Sequence, residues 1–352
     1  MRHTAAKLFA AAAIATSLAT VAAGQASADP TVTPAAQDIV GVGSDTIQAV
    51  LGQFSTDYNA SLTAAGDTTS PRLYSYDATP AGNITTKTGA TSIARPNGSG
   101  AGITALNNNT SSTVNFARSS RAPQSTDPST DDFVAFARDA VSWAGKTGGN
   151  APANLSTADL NGIYTCSITN WNQITDVSGY TGPNAAIDAY IPQVNSGTRA
   201  FFLQAIGGGT SVTPGSCVKA YTPEENEGTD AVFNDVNAVF PYSAAHYIGQ
   251  TVGGHTTTTD APGYLSLRSV DGTNPIAGNA LNPAFTATNY GRTVYNVLRD
   301  SELNGTGTLS TALQNIFGGT GWICSDPTAA ADIASYGFQA LPLFACGAVT
   351  HS

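Results

Sequence analysis

The sequence predicts an α/β protein with room for two lobes, each a mixed, mostly parallel sheet flanked by helices. Strand-like segments alternate with helix-like segments, and Gly-rich loops connect them, which is typical of layered α/β folds. The chain has 352 residues, and removing a predicted signal peptide of 28 residues leaves 324. That length is sufficient for two hydrophobic cores.

The signal peptide is predicted over residues 1–28. A basic stretch with Arg2 and Lys7 precedes an Ala-rich apolar run, and Ala26-Ser-Ala28 is typical of a cleavage site. The mature chain is expected to begin at Asp29 and to be secreted, into either the extracellular space or a periplasm. No cysteine lies near the cleavage point, so a lipid anchor on an N-terminal cysteine is not expected.

The mature chain is acidic, because loss of Arg2 and Lys7 changes the net charge from −10 to −12. An acidic exported chain with scattered charges is a poor candidate for binding nucleic acid or an anionic membrane, so neither partner is expected. We also expect a monomer that needs no cofactor. An anion site on such a chain would have to be local.

Four cysteines lie in the mature chain, and an even number in an exported protein indicates two disulfides. Three pairings are possible. We favour Cys166–Cys217 with Cys324–Cys346, because each bond would then lie within one predicted lobe. No metal site is predicted, since the chain has neither a C-x-x-C spacing nor a histidine cluster near the cysteines.

The first block of predicted elements ends near residue 128. Ile47, Val50, Leu51 and Phe54 recur at helical spacing after an N-cap at Ser44 or Asp45, which predicts a helix. A second helix is predicted to open at Gly98. Strands are predicted on both sides of these helices, over Asp38–Gly43, Arg72–Asp77 and Thr113–Arg118.

The second block begins near Asp131. Ser156-Thr-Ala-Asp159 has the pattern of a capping box, which predicts a helix start. A further helix is predicted after Asn195-Ser-Gly-Thr198. The remaining predicted elements are strands over Phe133–Trp143, Ile187–Ile191 and Ala238–Tyr242, and a helix over Glu225–Asn237.

The third block is rich in Gly and Thr at its start. One strand is predicted over Tyr264–Val270. Apolar residues at helical spacing predict helices over Thr293–Asp300 and Leu309–Phe317.

Three Gly-rich loops carry the functional signal: Gly41–Thr46, Asn97–Gly102 and Asn195–Thr198. Each follows a predicted strand and precedes a predicted helix. Each supplies small hydroxyls and unpaired N–H groups at a helix N-terminus, where the helix dipole favours negative charge. Three such loops predict a single anion site assembled from distant segments.

The chain resembles the phosphate-binding proteins of phosphate ABC transporters, which have the type II periplasmic solute-binding fold. The resemblance covers about residues 38–250 and keeps the order of five motifs. These are Gly41–Thr46 (G-A-G-A-T-F in the family), Gly98–Gly102 (G-S-G-G-G), residues 155–172 (ending in I-x-x-W), Asn195–Phe202 (D-G-S-G-T-x-x-F) and Asn237–Ser243 (G-A-I-G-Y-V).

The resemblance implies how the chain is organised and what it does. Lobe 1 would comprise residues 37–128 and 246–352, and lobe 2 residues 129–245, with a ligand cleft between the lobes. The protein would capture phosphate, or a close oxyanion, for uptake by an ABC permease. Its implied ligand-binding residues are Ser44, Asp45, Thr46, Ser99, Ser196, Gly197 and Thr198, whose hydroxyl and N–H groups suit an oxyanion.

The sequence departs from the family at two charged positions. Ser120 or Arg121 stands where the family has the aspartate of G-A-S-D-A-P, and Pro192 stands where it has an arginine. We hypothesise that Asp45 supplies the missing carboxylate, and that Arg121, or else Arg118, supplies the missing cation. Ser120 and Arg121 are therefore included among the ligand-binding candidates.

Two other functions were weighed. A secreted hydrolase needs a nucleophile, a base and an orienting acid, but no G-x-S-x-G occurs and His246 is expected to be a partly buried structural residue. Glu224, Glu225 and Glu227 are expected to form a solvated loop and a helix start. An enzyme is therefore not expected. The other alternative is a secreted scavenging or adhesion protein of the same fold that binds a different small ligand.

Overall fold

The computed structural model describes residues 29–220 and 223–352, so the predicted signal peptide lies outside the described residues. The α-helices are α1 (Gln48–Ala64), α2 (Ser99–Asn108), α3 (Thr157–Thr165), α4 (Gly197–Ile206), α5 (Ala244–Thr251), α6 (Pro283–Thr286), α7 (Asp300–Leu303), α8 (Thr308–Phe317), α9 (Trp322–Ser325) and α10 (Pro327–Ser335). Single 3₁₀ turns occupy Trp171–Gln173 and Ala231–Asn234.

The longer strands are β1 (Ile39–Gly43), β2 (Leu73–Ser75), β5 (Phe116–Ser119), β6 (Asp131–Lys146), β8 (Asp188–Ile191), β10 (Ala238–Ser243), β11 (Leu265–Leu267) and β15 (Gly291–Arg299). The two-residue strands are β3 (Asn83–Ile84), β4 (Ile93–Ala94), β7 (Asn154–Leu155), β9 (Lys219–Ala220), β12 (Ser269–Val270), β13 (Ile276–Ala277), β14 (Ala280–Leu281), β16 (Gln339–Ala340) and β17 (Val349–Thr350).

One mixed sheet organises the protein, in the strand order β2-β1-β5-β15-β6-β10-β8-β9. Its outer strands run parallel, since β1 pairs in parallel with β2 and β5, and β8 does so with β10 and β9. In the centre, β15 is antiparallel to β5 and β6, and β10 is antiparallel to β6. This agrees with the predicted α/β class with a mixed, mostly parallel sheet.

Strand β6 connects the two ends of this sheet. Its residues 131–140 pair with β15, and Val141 onward pairs with β10. We call β2, β1, β5, β15 and residues 131–140 the first half-sheet, and residues 141–146 with β10, β8 and β9 the second half-sheet. The predicted lobe boundaries near residues 129 and 245 lie next to β6 and at the end of β10, and they remain predictions.

Helices pack on the sheet through apolar faces. All five residues of β1 are buried, and α1 buries Val50, Leu51 and Phe54 against the sheet. The ring of Phe54 makes edge-on contacts with Phe136 of β6 and Trp322 of α9. These contacts hold the N-terminus of α1, and therefore the loop before it, at one end of β1.

Several local predictions are confirmed. Ser156 and Asp159 form a complete capping box at the start of α3. The disulfides Cys166–Cys217 and Cys324–Cys346 are both formed, as predicted. Among the described residues, none of the helices is long and apolar enough to cross a membrane.

Two predicted helices are wrong. Residues 293–300 were predicted to be helical, but Gly291–Arg299 forms β15 between β5 and β6. Val294, Val297 and Leu298 mimic helical spacing, but pairing on both strand edges outweighs it. In the predicted helix over Glu225–Asn237, only a 3₁₀ turn is present, because the acidic start of that segment turns into the protein interior.

Candidate ligand-binding site

The first two Gly-rich loops meet where β1 and β5 end. The Ser44 hydroxyl donates to Oγ of Ser120 over 3.1 Å. Oγ of Ser99, at the start of α2, lies 3.3 Å from Oγ of Ser120 and accepts its N–H over 3.0 Å. All three serines are buried. Adjacent parallel strands end at one sheet edge, which is why these segments come together.

The third loop reaches the same place from the second half-sheet. Ser196 caps α4 by accepting the N–H of Arg199, so the first-turn N–H groups of that helix lie beside it. Oγ1 of Thr198 lies 3.1 Å from Oγ1 of Thr46. We call Ser44, Thr46, Ser99, Ser120, Ser196 and Thr198 the hydroxyl cluster.

Gly197 shows how closely the two half-sheets approach. A Cβ at this position would lie 2.2 Å from Oγ of Ser99 and 2.5 Å from Oγ of Ser120. Only a residue without a side chain fits between these hydroxyls in this conformation. The N–H of Gly100 adds a direct bond across the junction, to the carbonyl oxygen of Asn195 over 3.0 Å.

Arg292 was not among the predicted site residues, but its guanidinium lies at the hydroxyl cluster. Its Nη2 donates to Oγ1 of Thr198 over 2.9 Å, and its Nη1 donates to the carbonyl oxygen of Ser120 over 2.7 Å. Its Nε binds the carboxylate of buried Asp139, its register partner on β6, over 2.9 Å. The only sequence signal was a basic residue opening a run rich in β-branched and aromatic residues, and that run was assigned to a helix.

Arg121 and Arg118, the predicted cations, are bound elsewhere. Arg121 forms a two-bond ion pair with Asp127, at 2.6 and 2.8 Å. Arg118 is fully buried and donates to the carbonyl oxygens of Ser44 and Tyr76, at 2.9 and 2.7 Å. Of these three arginines, Arg292 is the one whose guanidinium donates a hydrogen bond to a hydroxyl of the cluster, that of Thr198.

Two acidic residues that were expected in a solvated loop are buried beside the hydroxyl cluster. Glu224 and Glu225 are 7% and 0% exposed, so that expectation is wrong. Oε1 of Glu225 accepts the hydroxyls of Thr46 and Ser196, at 2.9 and 3.0 Å. A buried carboxylate requires hydrogen-bond donors, and the two hydroxyls supply them.

Asp45 completes a group of three carboxylates, which we call the carboxyl cluster: Asp45, Glu224 and Glu225. One oxygen from each lies within 4.8 Å of the others. Burial, reinforced by the charges of Glu225 and Glu224, raises the pKa of Asp45 well above its usual range. Burial and the charge of Glu225 raise the pKa of Glu224 to about 8. At neutral pH, protons are therefore held within this cluster.

His246 supports the first loop from behind. Its Nδ1 lies 3.0 Å from the carbonyl oxygen of Thr46, and its Nε2 lies 2.7 Å from Oδ1 of Asp260. Burial disfavours the charged ring, but the carboxylate of Asp260 outweighs this and raises the pKa of His246. Both ring nitrogens face oxygens, in agreement with the structural role predicted for this residue.

The chain matches a family of known proteins. A PBP superfamily domain model matches residues 21–315, which is most of the chain. The chain belongs to the PBP superfamily. The superfamily to which the resemblance of the five motifs pointed is thus confirmed. No curated protein sequence matches the chain significantly.

Solved structures of this superfamily share the fold. A putative phosphate ABC transporter substrate-binding protein from Clostridium perfringens, solved with bound phosphate, aligns with a TM-score of 0.57 at 16% identity, over 87% of this chain and 100% of that one. An ABC-type phosphate transport receptor from Vibrio cholerae aligns with a TM-score of 0.56 at 16% identity, over 86% and 100%. A DING protein aligns with a TM-score of 0.55 at 15% identity, over 87% and 92%. At such identities the likeness establishes the fold.

Proposed function

We propose that this PBP superfamily protein captures phosphate, or a close oxyanion, at the junction of its two half-sheets. One observation carries the proposal. The hydroxyls of Thr46 and Ser196 already bind an oxyanion, the carboxylate of Glu225. A donor set that holds a carboxylate of the chain itself has the chemistry to hold a phosphate oxygen in its place.

The surroundings of these hydroxyls supply further donors. Thr198 and Gly197 open α4, and Ser99 opens α2, so two helix N-termini face the junction, where the helix dipoles favour negative charge. The Arg292 guanidinium adds a buried positive charge that touches Thr198. We propose Arg292 as the cation of the site. Arg121, the earlier candidate, is instead neutralised by Asp127.

The carboxyl cluster would confer selectivity. An ionised carboxylate beside the anion accepts the proton of hydrogen phosphate, whereas sulfate has no proton to donate at neutral pH. Glu225 contacts the hydroxyls of Thr46 and Ser196, so we propose its carboxylate as this acceptor. The raised pKa of Asp45 favours its protonated form, which does not suit that role. Phosphate would displace Glu225 from the hydroxyls of Thr46 and Ser196, and the half-sheets would close on the anion by a hinge motion.

The wider role follows from the family. The Clostridium perfringens and Vibrio cholerae relatives are described as phosphate transport proteins, and an exported relative would deliver its ligand to an ABC permease. Extracellular scavenging by a freely diffusing protein is the alternative role. In either role, the binding step is the same.

Isothermal titration calorimetry tests the binding step directly. The mature protein, freed of ligand, is titrated with phosphate and separately with sulfate at the same pH. We expect saturable heat with phosphate and little with sulfate. Arg292→Gln should weaken this response and Arg121→Gln should keep it, since the Arg121 guanidinium donates to Ala122 and Asp127 of its own loop. A wild-type protein without phosphate response would refute the proposal.

A further inference from the structure

The carboxyl cluster has the composition of a cation site as well as that of an anion filter. Its three carboxylates are almost fully buried and lie within 4.8 Å of one another. The nearby cations are engaged, since Arg292 pairs with Asp139 and His246 with Asp260. We propose that Asp45, Glu224, Glu225 and the amide oxygen of Asn226 bind Ca²⁺.

Orphaned oxygens are the independent support for this site. Oδ1 of Asn226 is buried and has no hydrogen-bond partner within residues 29–220 and 223–352, and within the same residues no donor group reaches Oδ1 of Asp45 or Oε2 of Glu225. The Asn226 amide donates its Nδ2 to Oδ2 of Asp45 over 3.1 Å, so its own oxygen is held beside the cluster. Asn226 is 3% exposed. Buried polar atoms without partners are costly, and a bound cation would remove that cost.

The donor chemistry selects the ion. All the donors are oxygens, which favour Ca²⁺ or Mg²⁺ over zinc or copper. Calcium–oxygen distances of about 2.3–2.6 Å allow opposite ligands to lie about 5 Å apart, whereas magnesium at about 2.0–2.1 Å requires closer ligands. Calcium also accepts irregular arrangements of about six to eight oxygens, which suits ligands contributed by two separate segments of the chain.

Hydrogen bonds from Tyr242 and Gln250 fix the backbone of the segment Glu224–Asn226, which carries three of these ligands. The hydroxyl of Tyr242 and Nε2 of Gln250 both donate to the carbonyl oxygen of Asn226, at 2.7 and 2.9 Å. The amide of Asn97 also donates to Oε1 of Glu224. These bonds fix the backbone and one carboxylate in advance, which lowers the entropic cost of binding an ion.

A cation here would change the anion site next to it, a consequence that rests on the proposed function. Oε2 of Glu225 would face the ion, and the cluster's negative charge would be largely neutralised. Phosphate would then approach the hydroxyls of Thr46 and Ser196 with less repulsion. Because coupling between sites is reciprocal, Ca²⁺ should tighten phosphate binding, and phosphate should tighten Ca²⁺ binding by the same factor.

Calcium binding can be tested without phosphate. Chelator-treated, phosphate-free protein is titrated with CaCl₂ at pH 8 by calorimetry, and Tb³⁺ luminescence reports the same site. We expect a dissociation constant on the order of 10⁻⁴–10⁻³ M, typical of extracellular calcium modules. Glu224→Gln and Asp45→Asn should each weaken binding at least tenfold. Glu302→Gln is the matched control, because Glu302 pairs with Arg299 outside the cluster.

The results decide whether a cation or bound protons neutralise the carboxyl cluster. If the wild-type protein gives no calcium heat at pH 8, or if Glu224→Gln binds as the wild type does, the cluster holds protons instead and the proposal fails. Tighter binding of Mg²⁺ than of Ca²⁺ would overturn the assignment of the ion. Circular dichroism melts of each variant exclude misfolding as the cause of a loss.

Titrations with phosphate separate this inference from the proposed function. They are run with Ca²⁺, below the concentration at which calcium phosphate precipitates, and with a chelator. Calcium binding without any phosphate binding would refute the proposed function and leave the cation site. If the phosphate affinity is unchanged by Ca²⁺ and by Glu224→Gln, the proposed function would stand and the cation site would be refuted.

Discussion

Nη2 of Arg292 donates a hydrogen bond to Oγ1 of Thr198 over 2.9 Å. Arg292 lies on β15 in the first half-sheet, and Thr198 lies in the first turn of α4 beside the second. The bond therefore joins the two half-sheets at the hydroxyl cluster. A buried guanidinium held on one side by Asp139 is oriented toward the junction before any ligand arrives.

Replacing Arg292 should weaken anion binding. A hydrogen bond to a charged group contributes about 1.5–3 kcal/mol, so Arg292→Gln should weaken phosphate binding by about 10- to 100-fold in calorimetry. The variant also leaves Asp139 buried without its partner, which should lower the free energy of unfolding by about 3–5 kcal/mol. The double variant Arg292→Gln/Asp139→Asn should recover stability without recovering binding. Full binding by Arg292→Gln would contradict the assignment.

The absence of a side chain at Gly197 should be required for closure. In Gly197→Ala the new Cβ would collide with Oγ of Ser99 and Oγ of Ser120. Overpacking of this kind costs about 1–3 kcal/mol, which should appear as an affinity loss of about 5- to 100-fold. Gly100→Ala is the matched control, because its Cβ would make an ordinary contact at 3.5 Å. Equal affinities for the two variants would count against closure at Gly197.

Stability should fall as pH rises because of Glu224. Its pKa is raised from 4.5 to about 8 by burial and by the charge of Glu225. Folding therefore favours the protonated form, so this contribution is complete below pH 4.5 and is lost as pH rises toward 8. Urea titrations in chelator between pH 5 and 8 should show a shallower decline for Glu224→Gln than for the wild type.

Comparing the pH dependence of stability in the wild type and in Glu224→Gln separates the contribution of Glu224 from that of other titrating groups. His246 also has a raised pKa, so it adds a loss of stability above pH 6.5 that both proteins share. Parallel curves for the wild type and Glu224→Gln would show that the Glu224 carboxyl is ionised in the folded protein at every pH tested.

Loss of each disulfide should lower the free energy of unfolding, and the two losses should differ in size. The bonds close chain segments of 51 and 22 residues. Chain entropy then gives about 4 kcal/mol for Cys166–Cys217 and about 3 kcal/mol for Cys324–Cys346. Double alanine variants of each pair, unfolded in urea, should follow this order. The reverse order would mean that residual structure in the unfolded chain outweighs loop length.

Local sequence patterns predicted the parts of the site that depend on neighbours in the chain. The capping box at Ser156 and the strand–loop–helix units around Ser44, Ser99 and Ser196 depend on interactions over a few residues. The disulfide pairing followed from the block organisation. The motifs in and beside these loops also carried the resemblance that pointed to the PBP superfamily, whose model matches residues 21–315.

Long-range pairing produced the failures. Val294 and Leu298 have helical spacing, and the segment becomes a strand only because β5 and β6 flank it. That error concealed Arg292. The burial of Glu225 likewise depends on hydroxyls from Thr46, 179 residues away, and from Ser196. The partners of β15 and of Glu225 are too far away along the chain to be found by reading short stretches of sequence.

The sequence by itself determined the α/β class and the strand–loop–helix units, because capping, turn chemistry and periodicity act over short distances. The superfamily followed from the resemblance of five motifs, and the cystine pairs followed from the block organisation. Only the tertiary structure decided which arginine reaches the site and that three carboxyl groups share it. Those choices depend on burial and on charges brought together from distant segments. A buried charge persists only where the fold supplies a partner, so the partners of Arg292 and Glu225 became identifiable only once the sheet had formed.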